Sequence, residues 1–384
     1  MYRLDADQTA LLDRVRTVAD AALAPNADDV DQRGRFPAES IRALGEAGLL
    51  GLTVPTEFGG LGQGPRVMAA VLDELAQRCA STAMVYLMHV AGVAYYAARP
   101  DVAGDALREA AAGRHLSTLA WSEKGSRSHF WAPIGQAVAT NGHVTLRADK
   151  SWVTSAGIAD GYVVSSRAPL STGPLDSALY YVKKGDPGLA VSGPWVAMGM
   201  RGNASAPMTL DGTTIPADRL LSEPGKGMDA MLGIGLPIFA IGNAAVSLGI
   251  AESAVAGTQA HLTGKGFEHL GTKLADLPNL RARLAKMRIE TDRGRAHLGA
   301  VLDAVENPGP TTMLMVLEAK AAASDTALHV TDLAMKACGG AAFSRHLSIE
   351  RNFRDARAGS VMAPTTDVLH DFIGKALCGM ELFA

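Results

Sequence analysis

The stretch MLGIGLPIFAIGNAAVSLGIA, residues 231–251, is 21 residues without a charge, long enough to cross a bilayer as a helix. A chain that contains it must either place it in lipid or surround it with protein on every side. Four glycines, Pro237, Asn243 and Ser247 interrupt it, and aromatic or Lys/Arg anchors are missing from its flanks. It also stands alone in a chain that is 20% charged. The sequence therefore predicts a helix buried on all faces within a helical bundle, and no membrane partner.

A length of 384 residues calls for two or three packed units. The formal net charge of −3, with both signs scattered, leaves no electrostatic footprint for nucleic acid or an anionic membrane. Cys79, Cys338 and Cys378 are odd in number and share no metal-ligand spacing. They argue against a disulfide framework or a metal site, suit a reducing cytosol, and read as packing residues. The acid-bearing start MYRLDADQTALLDRVRTVAD lacks the apolar core of a signal peptide, so a cytoplasmic location is expected.

Helical periodicity runs through the first part of the chain, at Leu11, Leu12, Val15 and Val18 and again in SIRALGEAGLLG and RVMAAVLDELAQRCASTAMVYLMHVAGVAYYAA. Short β-rich runs follow, among them HVTLRAD, GYVVSSRA and ALYYVKK, broken by turn residues. LSTGPLDS reads as a surface loop and GKGFEH as another. From Gly227 long helical patterns return. The expected fold class is α+β, with an N-terminal helical domain (1–115), a middle antiparallel β domain (116–225) and a C-terminal helical bundle domain (226–384). No GxGxxG follows a strand and no GxxxxGK[ST] occurs, which removes support from dinucleotide-binding and P-loop folds.

Several segments, in order, resemble the acyl-CoA dehydrogenase superfamily of flavoproteins. VPTEFGGLG (54–62) is similar to its VPxExGGxG turn and WSEKGSRSH (121–129) to TEPxxGSD. ADKSWVTSAGIADGYVVSSR (148–167) is similar to GxKxWITNGxxADxxVVxAR, and MGMRGNASAPMTLDGTTIPADRLL (198–221) to LGxRGSxTxxLxFxxVxVPxxxLL. GKGM, SLGIAESAV, ACGGAAF and RNFRDAR complete a set that covers nearly the whole chain. The resemblance implies FAD held between the β domain and a C-terminal four-helix bundle, in a homotetramer or homodimer. It places Trp152 as the wall of the flavin ring and Thr154 as a donor toward N5. Trp121 and Ser122 become further flavin contacts, Ser128 the serine near the substrate mouth, and Gly339 and Gly340 part of the QxxGG segment.

This chain departs from the pattern where the chemistry would lie. The family's Tyr-Glu-Gly-Thr, whose Glu takes the α-proton of an acyl thioester, aligns with Met362-Ala363-Pro364-Thr365. The alternative base and its neighbouring arginine, found on the long helix after the β domain in some relatives, align with Phe239 and Ala240. A general base is worth about 10²- to 10⁴-fold in rate. The substrate pocket is thus expected to be lined by Phe239, Ala240, Met362 and Ala363, with His129 as a replacement titratable group near Glu123 and Arg127, and Asp367 and His370 beyond the altered loop. The FAD-contacting arginine of RxxFG aligns with Phe267 and a downstream Gln with Pro278. Lys336 replaces the Gln of QxxGG and is expected to supply charge to the pyrophosphate, with Thr365 keeping a hydroxyl contact. Use of FMN or diffusing reduced flavin follows as an alternative to FAD. No charge cluster specific to CoA stands out along the sequence.

Three functions are compatible with these residues. One is an FAD-dependent dehydrogenase of an acyl thioester with a non-standard or absent base. Another is a flavin monooxygenase on the same fold, using reduced flavin and O2. The third is a non-catalytic subunit paired with a homologous partner.

Overall fold

The structure, a computed structural model, describes residues 2–127, 129–173 and 175–382. The chain begins with α1 (Ala6–Val18), α2 (Ala27–Arg33), α3 (Ala38–Glu46), α4 (Pro65–Arg78), α5 (Ala80–Ala98) and α6 (Pro100–Ala111). Asp5 opens α1 with a capping box: its side chain accepts from the Gln8 N–H while the Gln8 side chain accepts from the Asp5 N–H. α5 carries few polar residues and is buried almost throughout, as expected for a helix at the centre of a layered fold.

Strands β1 (Ser117–Ala120), β2 (Gln136–Thr140), β3 (His143–Val153), β4 (Gly161–Arg167), β5 (Ser177–Lys183), β6 (Leu189–Val191) and β7 (Ala206–Pro216) follow. They form two sheets, β1-β4-β5 and β2-β3-β7-β6, which share one core that includes Val144, Leu146, Tyr162, Val164 and Tyr180. The unit is not wholly antiparallel: β1 runs parallel to β4, with Ser117 opposite Gly161 and Ala120 opposite Val164. The chain leaves β1, makes the β2–β3 hairpin in the other sheet and returns. That crossover brings β4 back in the direction of β1.

The last part contains α7 (Gly227–Ala230), a π-helical turn at Met231–Gly235, and α8 (Leu236–Gly264). Gly266–Phe267 and Thr272–Lys273 then pair as β8 and β9, so GKGFEH contributes to a short hairpin as well as a turn. There follow α9 (Pro278–Glu306), α10 (Thr312–Cys338), α11 (Gly340–Phe343), α12 (Ile349–Asp355), α13 (Arg357–Val361) and α14 (Thr366–Leu377). α8, α9 and α10 pack on one another, α4 packs against α8, and α14 against α10.

The uncharged run is the buried spine of this bundle. The helical span Gly227–Gly264 has a mean hydropathy of 1.8 over its most apolar window, and 78% of that window is inside the protein. Its glycines serve close helix approach: a Cβ at Gly249 would stand 2.4 Å from the Asp73 carbonyl oxygen of α4, and one at Gly242 would stand 2.2 Å from Leu87 Cδ1 of α5. Cys79 and Cys338 are buried as expected, whereas Cys378 is exposed just past α14 and does not pack in a core.

The β unit is tied to the bundle through Asp355 at the end of α12, whose Oδ1 accepts from the Met200 N–H at 2.6 Å. Burial pushes this carboxyl up to about 6. Beside it, Arg354 forms a forked pair with Asp31 of α2 and also holds Glu350. Three layers of the molecule therefore meet behind the loop at 198–200.

Candidate functional site

A cavity of about 820 Å³ opens where α5, the ends of β1 and β3, the start of α8 and the 362–365 turn converge. Its inner wall is apolar, formed by Met84 and Met88 of α5, Leu119, Phe130, Leu236 and Phe239. Trp121 is packed between the Phe130 ring, stacked at 5.6 Å, and the Tyr95 ring, edge-on at 5.6 Å. This leaves a rigid aromatic end to the cavity.

Toward the β domain the lining changes character. Trp152 is a large aromatic that is 66% exposed, touches the edge of Trp195 at 5.8 Å and has φ 59°. A non-glycine residue in the left-handed region carries backbone strain, a feature concentrated at binding sites. Two residues on, Thr154 Oγ1 lies 2.9 Å from Ser205 Oγ, and both line the cavity. In such a pair one hydroxyl donates to the other, and the second hydroxyl proton is left for a ligand. Ser122 also lines this region. A flat ring with acceptors along one edge fits here, with an indole for its face and hydroxyls for its edge.

The only carboxylate that lines the cavity among the described residues is Glu123, and it is fully engaged. Its Oε1 is 2.6 Å from Lys150 Nζ, with both side chains buried, and its Oε2 accepts from the Ile134 and Gly135 N–H groups. Lys150 also donates to the Ser165 carbonyl at 2.6 Å. Burial pushes the Lys150 ammonium down while Glu123 opposes that shift. This pair fixes the backbone of the Trp121–Glu123 segment to β3 and is unsuited to abstracting a substrate proton.

The turn at 362–365 also lines the cavity, through Met362, Ala363, Pro364 and Thr365. No side chain at 363 or 364 can accept a proton. Beneath the turn lies Lys320 of α10, with no solvent exposure. Its Nζ donates to the carbonyls of Gly359, Met362 and Pro364 at 2.9, 3.2 and 2.9 Å. Three donors meet three acceptors, which matches an ammonium, although burial pushes its pKa down to about 7. The sequence reading missed Lys320. The available signal was a lone lysine inside the apolar face of α10, between Ala319 and Ala321.

Other expected site residues lie elsewhere. Ala240 is wholly buried in the helical core rather than in the cavity, because the turn of α8 that presents Phe239 to the cavity faces Ala240 inward. His129 is exposed, stacks on Trp131 with centroids 4.9 Å apart, and does not line the cavity. Asp367 and His370 are on the exposed face of α14. Lys336 pairs with Asp332 at 2.7 Å on the surface of α10, and Gly339 and Gly340 follow at the helix end, outside the cavity lining. Phe267 and Pro278 are also outside it. Thr365 does line the cavity, and its hydroxyl caps α14 by accepting from the Val368 N–H. Ser128 lies outside the described residues.

Three acyl-CoA dehydrogenase domain families match the chain in succession: the N-terminal domain over residues 5–113, the middle domain over 118–213 and the C-terminal domain over 225–378. The chain belongs to the acyl-CoA dehydrogenase superfamily. It is thereby grouped with oxidoreductases that act on CH–CH donors. Over 386 aligned residues it is 28% identical to cyclohex-1-ene-1-carbonyl-CoA dehydrogenase of Syntrophus aciditrophicus (strain SB), covering 98% of this chain and 91% of that protein. Butyryl-CoA dehydrogenase from Megasphaera elsdenii shares the fold with a TM-score of 0.90 at 24% identity, covering 98% of this chain and 99% of that one. The structure of PigA with FAD and proline has a TM-score of 0.89 at 17% identity, with the same coverage.

Proposed function

We propose that this chain is an FAD-dependent oxidoreductase that desaturates an acyl thioester at Cα–Cβ, with no protein carboxylate to take the α-proton. FAD, when bound, would accept the hydride. The chain's own residues would supply Trp152 as the face against the ring, Thr154, Ser205 and Ser122 at its polar edge, and the inner apolar wall for the acyl chain. The observation that carries this reading is the exposed, strained Trp152 beside the Thr154–Ser205 hydroxyl pair, in a cavity that is also lined by a turn without an acid. Any contact from Lys336, Gly339 or Gly340 to the cofactor would cross a subunit interface, in a homotetramer or homodimer. The α-proton would then pass to water rather than to a positioned side chain, so turnover of ordinary acyl-CoAs is slow.

A second reading rests on the same apolar wall, which would suit hydroxylation of a carbon or nitrogen with supplied reduced flavin and O2. A single set of assays separates the readings. Purified protein is examined for bound flavin and mixed anaerobically with acyl-CoAs, and bleaching of the flavin supports dehydrogenation. Product formed only with O2 and supplied reduced flavin supports the oxygenase. Protein that acquires flavin only when co-expressed with a homologue would instead make it a partner subunit.

A further inference from the structure

Five charged side chains line the cavity, and four of them are cations: Lys124, Arg127, Arg354 and Arg357, against Glu123. The chain as a whole has more acids than bases, 39 against 36, so the bias is local to this site. Pairing divides the five further. Glu123 is held by Lys150, and Arg354 by Asp31 and Glu350. Arg357 has no ion pair among the described residues: its Nη1 donates to Thr331 Oγ1 and to the Phe353 carbonyl, and its guanidinium lies 3.5 Å over the Phe353 ring. Lys124 and Arg127 are exposed, and they too form no ion pair among the described residues.

Arg127 has φ 52°, a conformation that disfavours any side chain. It stands where the TEPxxGSD pattern has Gly, and Lys124 where it has Pro. The chain thus accepts backbone strain to place a guanidinium at this cavity. These three cations have no ion pair among the described residues, although Arg357 also interacts with the Asp332 charge, and together they bias the field in the cavity toward anions. We propose that Lys124, Arg127 and Arg357 are a phosphate-recognition set, in which Lys124 and Arg127 add charge to Arg357 and offset the loss of the arginine that the family carries where this chain has Phe267. This rests on the flavin and acyl-thioester reading above, and the phosphate has two sources: the pyrophosphate of FAD, or the phosphates of a CoA carrier.

The test compares wild type with Arg127→Gly, Lys124→Gln and Arg357→Gln. Arg127→Gly removes the charge and relieves the backbone together, so a loss of affinity cannot come from a strained fold. Binding of riboflavin, FMN and FAD is followed by flavin fluorescence, and binding of butyryl-CoA and phosphate-free S-butyryl-pantetheine by calorimetry on the flavin-loaded protein. The expected result is about a tenfold loss per cation for FAD, for butyryl-CoA or for both, with a shallower salt dependence and with riboflavin and butyryl-pantetheine unchanged. Loss confined to FAD assigns the set to the cofactor, and loss confined to butyryl-CoA assigns it to the carrier. Unchanged binding of both phosphate ligands in all three variants, or equal weakening of the phosphate-free analogues, overturns the proposal. Wild-type protein that binds no flavin at all would sink the flavoprotein reading itself and this inference with it.

Discussion

Lys320 shows how a residue that touches no ligand can control the site. Its side chain fills a wholly buried position and supplies a donor to each of three carbonyls beneath the Met362–Pro364 turn. Replacing it by Met keeps the volume but leaves those carbonyls without a partner. Lys320→Met should therefore cost about 1–3 kcal/mol at about pH 10, where the penalty for burying the charged lysine is gone, measured by denaturant unfolding. The pH dependence has a definite sign. Burial pushes the folded pKa down to about 7, whereas an unfolded lysine titrates near about 10.4. Between these values the unfolded chain holds more protons, so this group makes the fold more stable as pH rises from about 7 to about 10, and its penalty is fully present below 7. Wild type should show that rise and Lys320→Met should lose it; parallel stability profiles would contradict the assignment. At this scale the sequence was only partly legible. Trp152 and Thr154 stand at the end of β3 and Ser122 just past β1, so motifs that mark those strand ends also mark part of the cavity lining. Lys320 and the neutralisation of Glu123 depend on chain segments that meet only in the folded state.

At the scale of elements, α8 accounts for most of the chain's early ambiguity. Length and hydropathy alone fit a membrane span, but the spacing of small residues is what packs the helix against α4 and α5. Gly249→Ala places a Cβ 2.4 Å from a backbone oxygen, so the roughly 1 kcal/mol that alanine gains over glycine in helix propensity is overcome. A net loss of about 1–3 kcal/mol is expected. Gly264→Ala, with nothing within 4 Å of its Cβ, should be neutral or slightly stabilising. Thermal unfolding of the two variants measures the difference, and equal midpoints would mean the helices do not approach this closely. Helices were readable from periodicity because their hydrogen bonds are local. The parallel β1–β4 pairing and the β8–β9 hairpin were not: strand direction depends on the crossover, and two-residue strands carry no periodic signal.

For the molecule as a whole, the order of helical, β and helical parts could be read from collinear segments spread along the chain, since each marks a turn or strand end the fold needs. The charge of the cavity could not, because Lys124 and Arg127 are far in sequence from Arg357. The proposed function is a flavin and thioester site that lacks a protein proton acceptor. Its most direct test is anaerobic stopped-flow mixing of the flavin-loaded protein with butyryl-CoA, comparing wild type with the Ala363→Glu, Pro364→Gly double variant. Slow flavin bleaching is expected in wild type, with an acceleration of about 10²- to 10⁴-fold in the double variant. Equal rates in proteins that bind flavin and butyryl-CoA equally well would show that position 363 does not face the reacting carbon, and would contradict the account.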